Sequence, residues 1–489
     1  MAKDISFLGL NRPEYPPLRE LFMSELAWSI YRASGERGER RPGFAGYAYR
    51  ELSSKKEKGF EFTLPSECSK KFDQLRSYVL SEREARTEEE ATRIVNILLS
   101  ELEAPYSNKA LRTAATPLGL QTALLQDLRG ITGKNNPANL ALILEQMYAL
   151  GGGKSSMAGQ WSNAMTMAQG GGMPTWIEEF YAQVLPADLA DVARSVSAHG
   201  PRHSVEGLRT PKWLSSLESN PFKWFANSWD RLCENGWIDT MPRRRWTDWA
   251  ACVARTGLAC GYMFEMHLYR RLGAALISDD APEDVVRQLL DDGKRLFSWD
   301  DQVPRSAADV GPVVTQLASA GSACMKLIHS LVSDEDLQFP AMGEYDSDPN
   351  GLVSWLVAAR AARDSVTGLQ GDVARALAAK KVGPASNTWE MIRYSLLSRA
   401  SDGEQDLYGV LRSAGRYTWV EPGQEWLVTV SSLQAESPGK LSRLTDLSTS
   451  LSALGIDASQ RTIVSRLEAY GLARSSHDAD DALEIMPGF

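Results

Sequence analysis

Residues 441–474 read LSRLTDLSTSLSALGIDASQRTIVSRLEAYGLAR. The first half carries leucines at helical spacing, and Gly455 predicts the end of that helix. Asp457 or Ser459 can then cap a second helix over 460–470. Two helices separated by such a short turn predict a compact helical module.

The flanking residues extend this pattern on both sides. Residues 425–435 predict a helix or strand before it, and Ala482 to Met486 predict a strand after it. The order helix, helix, turn, helix, Gly-Leu, wing, with the signal LxxLGIxxSxxTIVxxLExxGLAxxS, resembles the winged helix-turn-helix family over residues 425–489. In that family the third helix enters the major groove of DNA. The resemblance implies that the presented residues are Ser459, Gln460, Arg461, Thr462, Ser465 and Arg466.

The tail of this module carries the opposite charge from a DNA-binding wing. His477 is followed by Asp478, Asp480 and Asp481, and residues 440–489 hold five positive and seven negative side chains. Carboxylates near phosphate weaken binding. The charge favours a winged helix that contacts protein, and one that contacts DNA remains the alternative.

Helical periodicity continues through the rest of the chain, so we predict a mainly α, multi-domain helical protein with a C-terminal winged-helix-like module. A chain of 489 residues exceeds the usual size of one hydrophobic core. The predicted domains are an N-terminal helical domain (1–172), a Trp-rich helical domain (173–345), an Ala-rich helical region (346–422) and the winged-helix-like domain (423–489).

Six of the 14 tryptophans lie between Trp213 and Trp249, which predicts a large buried cluster. Arg243, Arg244 and Arg245 precede two of these rings. Guanidinium groups beside aromatic rings can hold single-stranded nucleic acid, so the three arginines are candidate nucleic-acid contacts. The alternative is a solvated helix start whose tryptophans point into the core.

The net charge of −9 argues against a protein that coats nucleic acid or an anionic membrane, because such binding needs a broad basic field. A local exception is the segment 35–58, which has seven positive and four negative side chains. We predict a basic loop or arm there, which can lie along a polyanion or remain a plain loop.

No motif in the sequence predicts a catalytic residue, a metal site or a cofactor. The five cysteines form no CxxC pair and predict buried reduced thiols, and the histidines have no metal-ligand spacing. No stretch is apolar enough for a signal peptide or a membrane span, which predicts a cytoplasmic protein without a membrane partner.

These observations predict a non-catalytic adaptor or scaffold subunit of a nucleic-acid-associated complex, with other protein subunits as partners and contact with DNA or RNA as a second option. The segment MPRRRWTDWA (241–250) together with the acidic winged tail resembles uncharacterised subunits encoded beside ATPases in bacterial anti-phage operons. That resemblance implies a role in antiviral defence. The alternatives are a DNA-binding regulator that uses Arg461 and Arg466, and an enzyme without a recognisable motif.

Overall fold

A computed structural model describes residues 7–10, 21–33, 49–53, 58–62, 64–102, 116–123, 140–153, 156–167, 176–184, 210–234, 236–380, 386–398, 400–401, 404–405, 407–474 and 483–488. The described residues are mainly α-helical, as the periodicity predicts, with a few short strands.

The elements before residue 300 are α1 (Leu21–Ala33), β1 (Tyr49–Ser53), β2 (Lys58–Phe62), α2 (Lys70–Ser81), α3 (Glu88–Leu102), α4 (Leu120–Ala123), α5 (Leu140–Leu150), α6 (Met157–Met167), α7 (Trp176–Val184), α8 (Lys212–Ser215), α9 (Pro221–Glu234), α10 (Trp237–Thr240), α11 (Arg243–Ala275), α12 (Pro282–Gly293) and β3 (Phe297–Trp299). Strands β1 and β2 pair antiparallel. The predicted basic loop 35–58 is therefore wrong for 49–53 and for Lys58, which lie in β1 and β2, while 35–48 and 54–57 lie outside the described residues.

The elements after residue 300 are α13 (Gly311–Gln316), a π-helical turn (Leu317–Gly321), α14 (Ser322–Ser333), a 3₁₀ turn (Met342–Tyr345), α15 (Gly351–Ala362), a 3₁₀ turn (Arg363–Ser365), α16 (Leu369–Leu377), α17 (Ser386–Leu396), β4 (Ala400–Ser401), β5 (Glu404–Gln405), β6 (Leu411–Ala414), β7 (Tyr417–Val420), α18 (Gln424–Ser432), β8 (Ser442–Arg443), α19 (Leu444–Ala453), β9 (Ile456–Ala458), α20 (Gln460–Ala469), β10 (Ala473–Arg474) and β11 (Glu484–Ile485).

Helix α11 is the centre of the fold, and most of its 33 residues are buried. Small residues let its neighbours approach closely: a Cβ at Gly257 would lie 2.6 Å from the Phe225 ring, and one at Gly273 would lie 2.8 Å from Cys324 Sγ. Pro242 occupies the N-cap position with extended backbone (φ −53°, ψ 139°), and the helix begins at the next residue, Arg243.

The tryptophan cluster lies inside this core. The six rings between Trp213 and Trp249 are each at most 6% exposed, and Trp237 and Trp249 pack with ring centroids 5.4 Å apart. The prediction of a buried cluster is confirmed. These rings stabilise the interior and are not available as a docking surface for a partner.

The segment at Phe7 crosses the same core. Phe7 is 2% exposed and packs edge-on against Trp355 with ring centroids 5.0 Å apart, and it also contacts Trp213 and Tyr269. Its backbone N–H donates to Tyr269 Oη at 3.4 Å. Residues far apart in the sequence therefore meet around one phenylalanine.

The C-terminal elements form a small helical unit with a sheet. Strand β11 pairs antiparallel with both β10 and β8, so the sheet order is β10-β11-β8. Helix α20 begins at the predicted cap, because the Ser459 hydroxyl accepts a hydrogen bond from Thr462 N. Most of the predicted acidic tail, 475–482, lies outside the described residues.

The predicted domain boundaries fall within one contiguous hydrophobic cluster that reaches from Phe7 to Ile485. The parallel pair of β3 and β9 joins residues 297–299 to residues 456–458, across two of those boundaries. The division into four domains stays a prediction, and residues from all four predicted domains contribute to this one cluster.

The cysteines divide into three groups by exposure. Cys252, Cys260 and Cys324 are buried, as predicted, and burial raises the pKa of the Cys260 thiol to about 12. Cys233 is half-buried. The prediction of burial is wrong for Cys68, which is exposed in the turn just before α2.

Candidate protein and nucleic-acid interfaces

The exposed face of α20 carries three of the residues that the family resemblance implies. Gln460, Arg461 and Ser465 are exposed, and Arg461 forms no ion pair with any other described residue. Ser459 is also exposed, but its hydroxyl is used as the helix cap and lies 3.1 Å from Thr462 N. Helix α20 therefore presents one unpaired cation and a set of small polar groups.

Arg466, one turn further along α20, faces the body of the protein. Its Nε lies 2.6 Å from Asp301 Oδ2 and its Nη2 lies 3.0 Å from Asp301 Oδ1, a bidentate pair. Hydrogen bonding to Asp301 raises the pKa of the guanidinium above its ordinary value. Because Arg466 is already paired with Asp301 in the folded protein, a phosphate group would have to displace this carboxylate to bind Arg466.

The turn that precedes α20 is held by the same part of the body. Strand β9 pairs in parallel with β3, and Phe297 N donates to the Gly455 carbonyl at 2.9 Å. Gly455 has a φ of +77°, which favours glycine at this helix end. The turn between α19 and α20 is thus fixed against the residues before Asp301.

The three arginines at the start of α11 have structural partners. Arg245 Nη2 lies 2.6 Å and 2.5 Å from the two carboxylate oxygens of Glu425 on α18. Arg244 donates to the Glu101 carbonyl at 2.7 Å. Arg243 donates to Met165 Sδ at 3.2 Å, and burial lowers the pKa of its guanidinium.

The aromatic rings beside these arginines are not at the surface. Trp246 and Trp249 are 0% exposed, and the Trp246 indole N–H donates to the Leu232 carbonyl at 3.1 Å. A base cannot stack on a fully buried ring. The arrangement corresponds to the core alternative, with the arginines bonded to neighbouring helices.

A groove between α13, α16, α17 and β7 was missed by the sequence reasoning. It encloses about 690 Å³, and we call it the arginine groove. Its charged lining groups are Asp309, Lys380, Arg393 and Arg416. None of the three cations forms an ion pair with another described residue. The available signal was Trp389 and Arg393, four residues apart on one predicted helix, with Arg416 beside Tyr417.

Aromatic rings hold two of these cations in place. Arg393 Cζ lies 5.1 Å from the centroid of the Trp389 ring, and Arg416 Cζ lies 4.8 Å from that of Tyr417. The Trp389 indole N–H donates to Thr315 Oγ1 at 3.3 Å, which fixes the ring. Stacking orients a guanidinium for hydrogen bonding. Arg416 Nη2 also donates to Tyr417 Oη at 2.6 Å, and the other N–H groups of Arg393 and Arg416 form no hydrogen bond with the described residues.

Among the residues that the structure describes, no group of three or more His, Cys, Asp or Glu side chains could hold a metal ion. Within the same ranges, no helix has both the length and the hydrophobicity to cross a membrane.

No family model matches the chain, and no curated protein or solved structure is significantly similar to it.

Proposed function

We propose that this chain is a non-catalytic adaptor or scaffold subunit of a nucleic-acid-associated multiprotein complex, and that its C-terminal unit is a winged helix that contacts protein. The cytoplasm is the proposed location, and antiviral defence in bacteria is the proposed setting, on the resemblance of residues 241–250 and the acidic tail. The observation that carries the proposal is the bidentate pair between Arg466 and Asp301.

The order of elements supports a winged helix. Helices α18, α19 and α20 are followed by β10 and β11, and β11 lies between β10 and β8 in an antiparallel sheet. This is the arrangement that the family resemblance implies for residues 425–489. It supports the fold of the unit and says nothing by itself about the partner.

The charges around α20 support a protein partner over DNA. Arg466 is neutralised by Asp301, while Asp457 before α20 and Glu468 on α20 are exposed, and Asp300 beside Asp301 is half-buried. A duplex placed against α20 would meet Arg461 as an unpaired cation together with several carboxylates. Phosphate contacts dominate the affinity of DNA-binding proteins, so this balance is unfavourable for DNA.

The exposed face of α20 can still contact a protein. Gln460, Arg461 and Ser465 point away from the body because Ile463 and Leu467 are buried beneath them. A helix fixed at both its turn and its Arg466 loses little conformational freedom when a partner binds. We therefore propose this face as the adaptor's contact surface.

Affinity purification of the tagged full chain from its native host, with and without nuclease, tests the proposal. We expect the same partner proteins in both samples and their loss in the double variant Arg461→Glu with Ser465→Trp. Arg93→Ala is the control, because Arg93 is exposed on α3, which packs against α2. Recovery of the chain alone, or loss of every partner after nuclease treatment, would contradict the adaptor function.

Gel shifts with duplex DNA test the alternative of a DNA-binding regulator. Asp301→Asn removes the charge that neutralises Arg466, so a module that binds DNA through α20 would bind more tightly in this variant. We expect no saturable binding between about 50 and 200 mM salt, for the wild type or the variant. Tight, salt-sensitive binding that Arg461→Ala with Arg466→Ala abolishes would favour the regulator.

A further inference from the structure

The arginine groove has more positive than negative charge in its lining. Asp309 is its one lining carboxylate among the described residues, against the three cations Lys380, Arg393 and Arg416. Asp309 Oδ1 accepts hydrogen bonds from Gly311 N at 3.1 Å and from Thr418 N at 2.9 Å, which hold it against the backbone. The carboxylate keeps its charge, but the cations outnumber it, so the groove attracts an external anion.

The frame that holds these cations is rigid. Val310 N donates to the Thr418 carbonyl at 2.7 Å, which joins the start of α13 to β7. Helix α17, which carries Trp389 and Arg393, packs along the central helix α11. A site built on packed helices and a hairpin can hold its donors in position before the ligand arrives.

The remaining walls are mostly apolar, with Thr315, Gln316 and Thr418 as polar members. Pro312, Val313 and Leu377 line the groove together with the half-buried ring of Trp389. An inorganic anion would use only the cations and leave these walls uncovered. The volume of about 690 Å³ lies within the range for sites that hold an organic ligand.

We propose that the arginine groove binds a phosphorylated nucleoside, either a free nucleotide or one unit of a single-stranded nucleic acid. The phosphate oxygens accept hydrogen bonds from Arg393, Arg416 and Lys380, and the planar base lies on the apolar wall at Trp389 and Pro312. Forked guanidinium donors suit phosphate, and aromatic rings suit any base. The site is separate from α20, so its failure would leave the proposed adaptor function untouched.

Binding is measured on the full chain by titration calorimetry with four probes. These are UMP, the single-stranded oligonucleotide rU12, inorganic pyrophosphate and a poly-glutamate peptide. We expect saturable binding of UMP or rU12, with pyrophosphate and the peptide at least about tenfold weaker because neither covers the apolar wall. UMP binding alone identifies a nucleotide site, and much tighter rU12 binding identifies a strand site.

The variants Arg393→Gln and Arg416→Gln are each expected to weaken binding about tenfold. Arg305→Gln is the matched control. Arg305 also lies over an aromatic ring, 4.4 Å from the centroid of Trp419, but Trp419 and the groove-lining Thr418 are successive residues of a strand and point to opposite faces. Its variant should retain wild-type affinity within about twofold.

Circular dichroism confirms that each variant is folded before its affinity is compared. The proposal is overturned if neither UMP nor rU12 binds saturably, or if pyrophosphate or the peptide binds as tightly as the nucleotide. It is also overturned if Arg305→Gln weakens binding as much as Arg393→Gln does, since the groove would then not be the site.

Discussion

The docked side of the C-terminal unit and the arginine groove use the same side chain in opposite ways. At the docked side, Arg245 and Arg466 meet Glu425 and Asp301 in bidentate pairs and hold the unit on the body. In the groove, Arg393 lies on an aromatic ring and has no carboxylate partner among the described residues. The surroundings of an arginine therefore decide whether it stabilises the fold or is available to a ligand.

The largest expected effect is at the docked side, in Trp426→Ala. Trp426 is 0% exposed, and its indole N–H donates to Thr256 Oγ1 on α11 at 3.0 Å. We expect the free energy of unfolding to fall by about 3–5 kcal/mol, since the variant leaves a cavity and an unpaired hydroxyl. Urea denaturation followed by circular dichroism measures it.

The corresponding variant in the groove is Trp389→Ala. It should lower the free energy of unfolding by about 1–2 kcal/mol because its ring is half-buried. Equal losses would remove the contrast between the two regions.

A smaller effect is expected from the pair between Arg245 and Glu425. Their side chains are 37% and 14% exposed. Glu425→Ala leaves a partly buried guanidinium without its carboxylate, and we expect a loss of about 1–3 kcal/mol. A double-mutant cycle with Arg245→Ala isolates the pair, and a coupling energy near zero would show that the two side chains do not hold α18 on α11.

The pair between Arg466 and Asp301 is more weakly coupled to the core. We expect Arg466→Gln to lower the free energy of unfolding by about 0.5–1 kcal/mol, because solvent screens a pair at the edge of the unit. Thermal melts at low and high salt measure this difference. The difference between variant and wild type should shrink at high salt, and an effect above about 2 kcal/mol would mean that the pair is buried in solution.

The smallest effects are expected in the groove. Arg393→Gln and Arg416→Gln should each change the free energy of unfolding by less than about 1 kcal/mol. Arg393 loses only cation–π contacts, and Arg416 loses a cation–π contact and an exposed hydrogen bond to Tyr417 Oη. The same urea titrations measure them. If these variants lowered the free energy of unfolding as much as Arg245→Ala does, Arg393 and Arg416 would be structural residues and would not be available to a ligand.

Local signals made the helical fold predictable. The cap at Ser459 and the end of α19 at Gly455 depend on residues within one turn, so the sequence identifies both. The burial of the tryptophan cluster also follows from composition, because large apolar rings are rarely left in water.

Non-local contacts explain what was not predictable. Arg466 and Asp301 are 165 residues apart in the chain, and Arg245 and Glu425 are 180 apart. Nothing near Arg466 indicates that a carboxylate will reach it. The arginine groove was missed for the same reason, because Asp309, Arg393 and Arg416 come from separate elements that meet only in the folded protein.

The packing of Phe7 sets the order in which the protein can be completed during synthesis. A ribosome releases Phe7 long before Trp213, Tyr269 and Trp355, the three rings that enclose it. The Phe7 ring must therefore stay exposed to solvent and to chaperones until residue 355 has emerged. Strand β3 cannot pair until β9, at residues 456–458, has been synthesised. The native core is thus completed only after most of the residues that form it have left the ribosome.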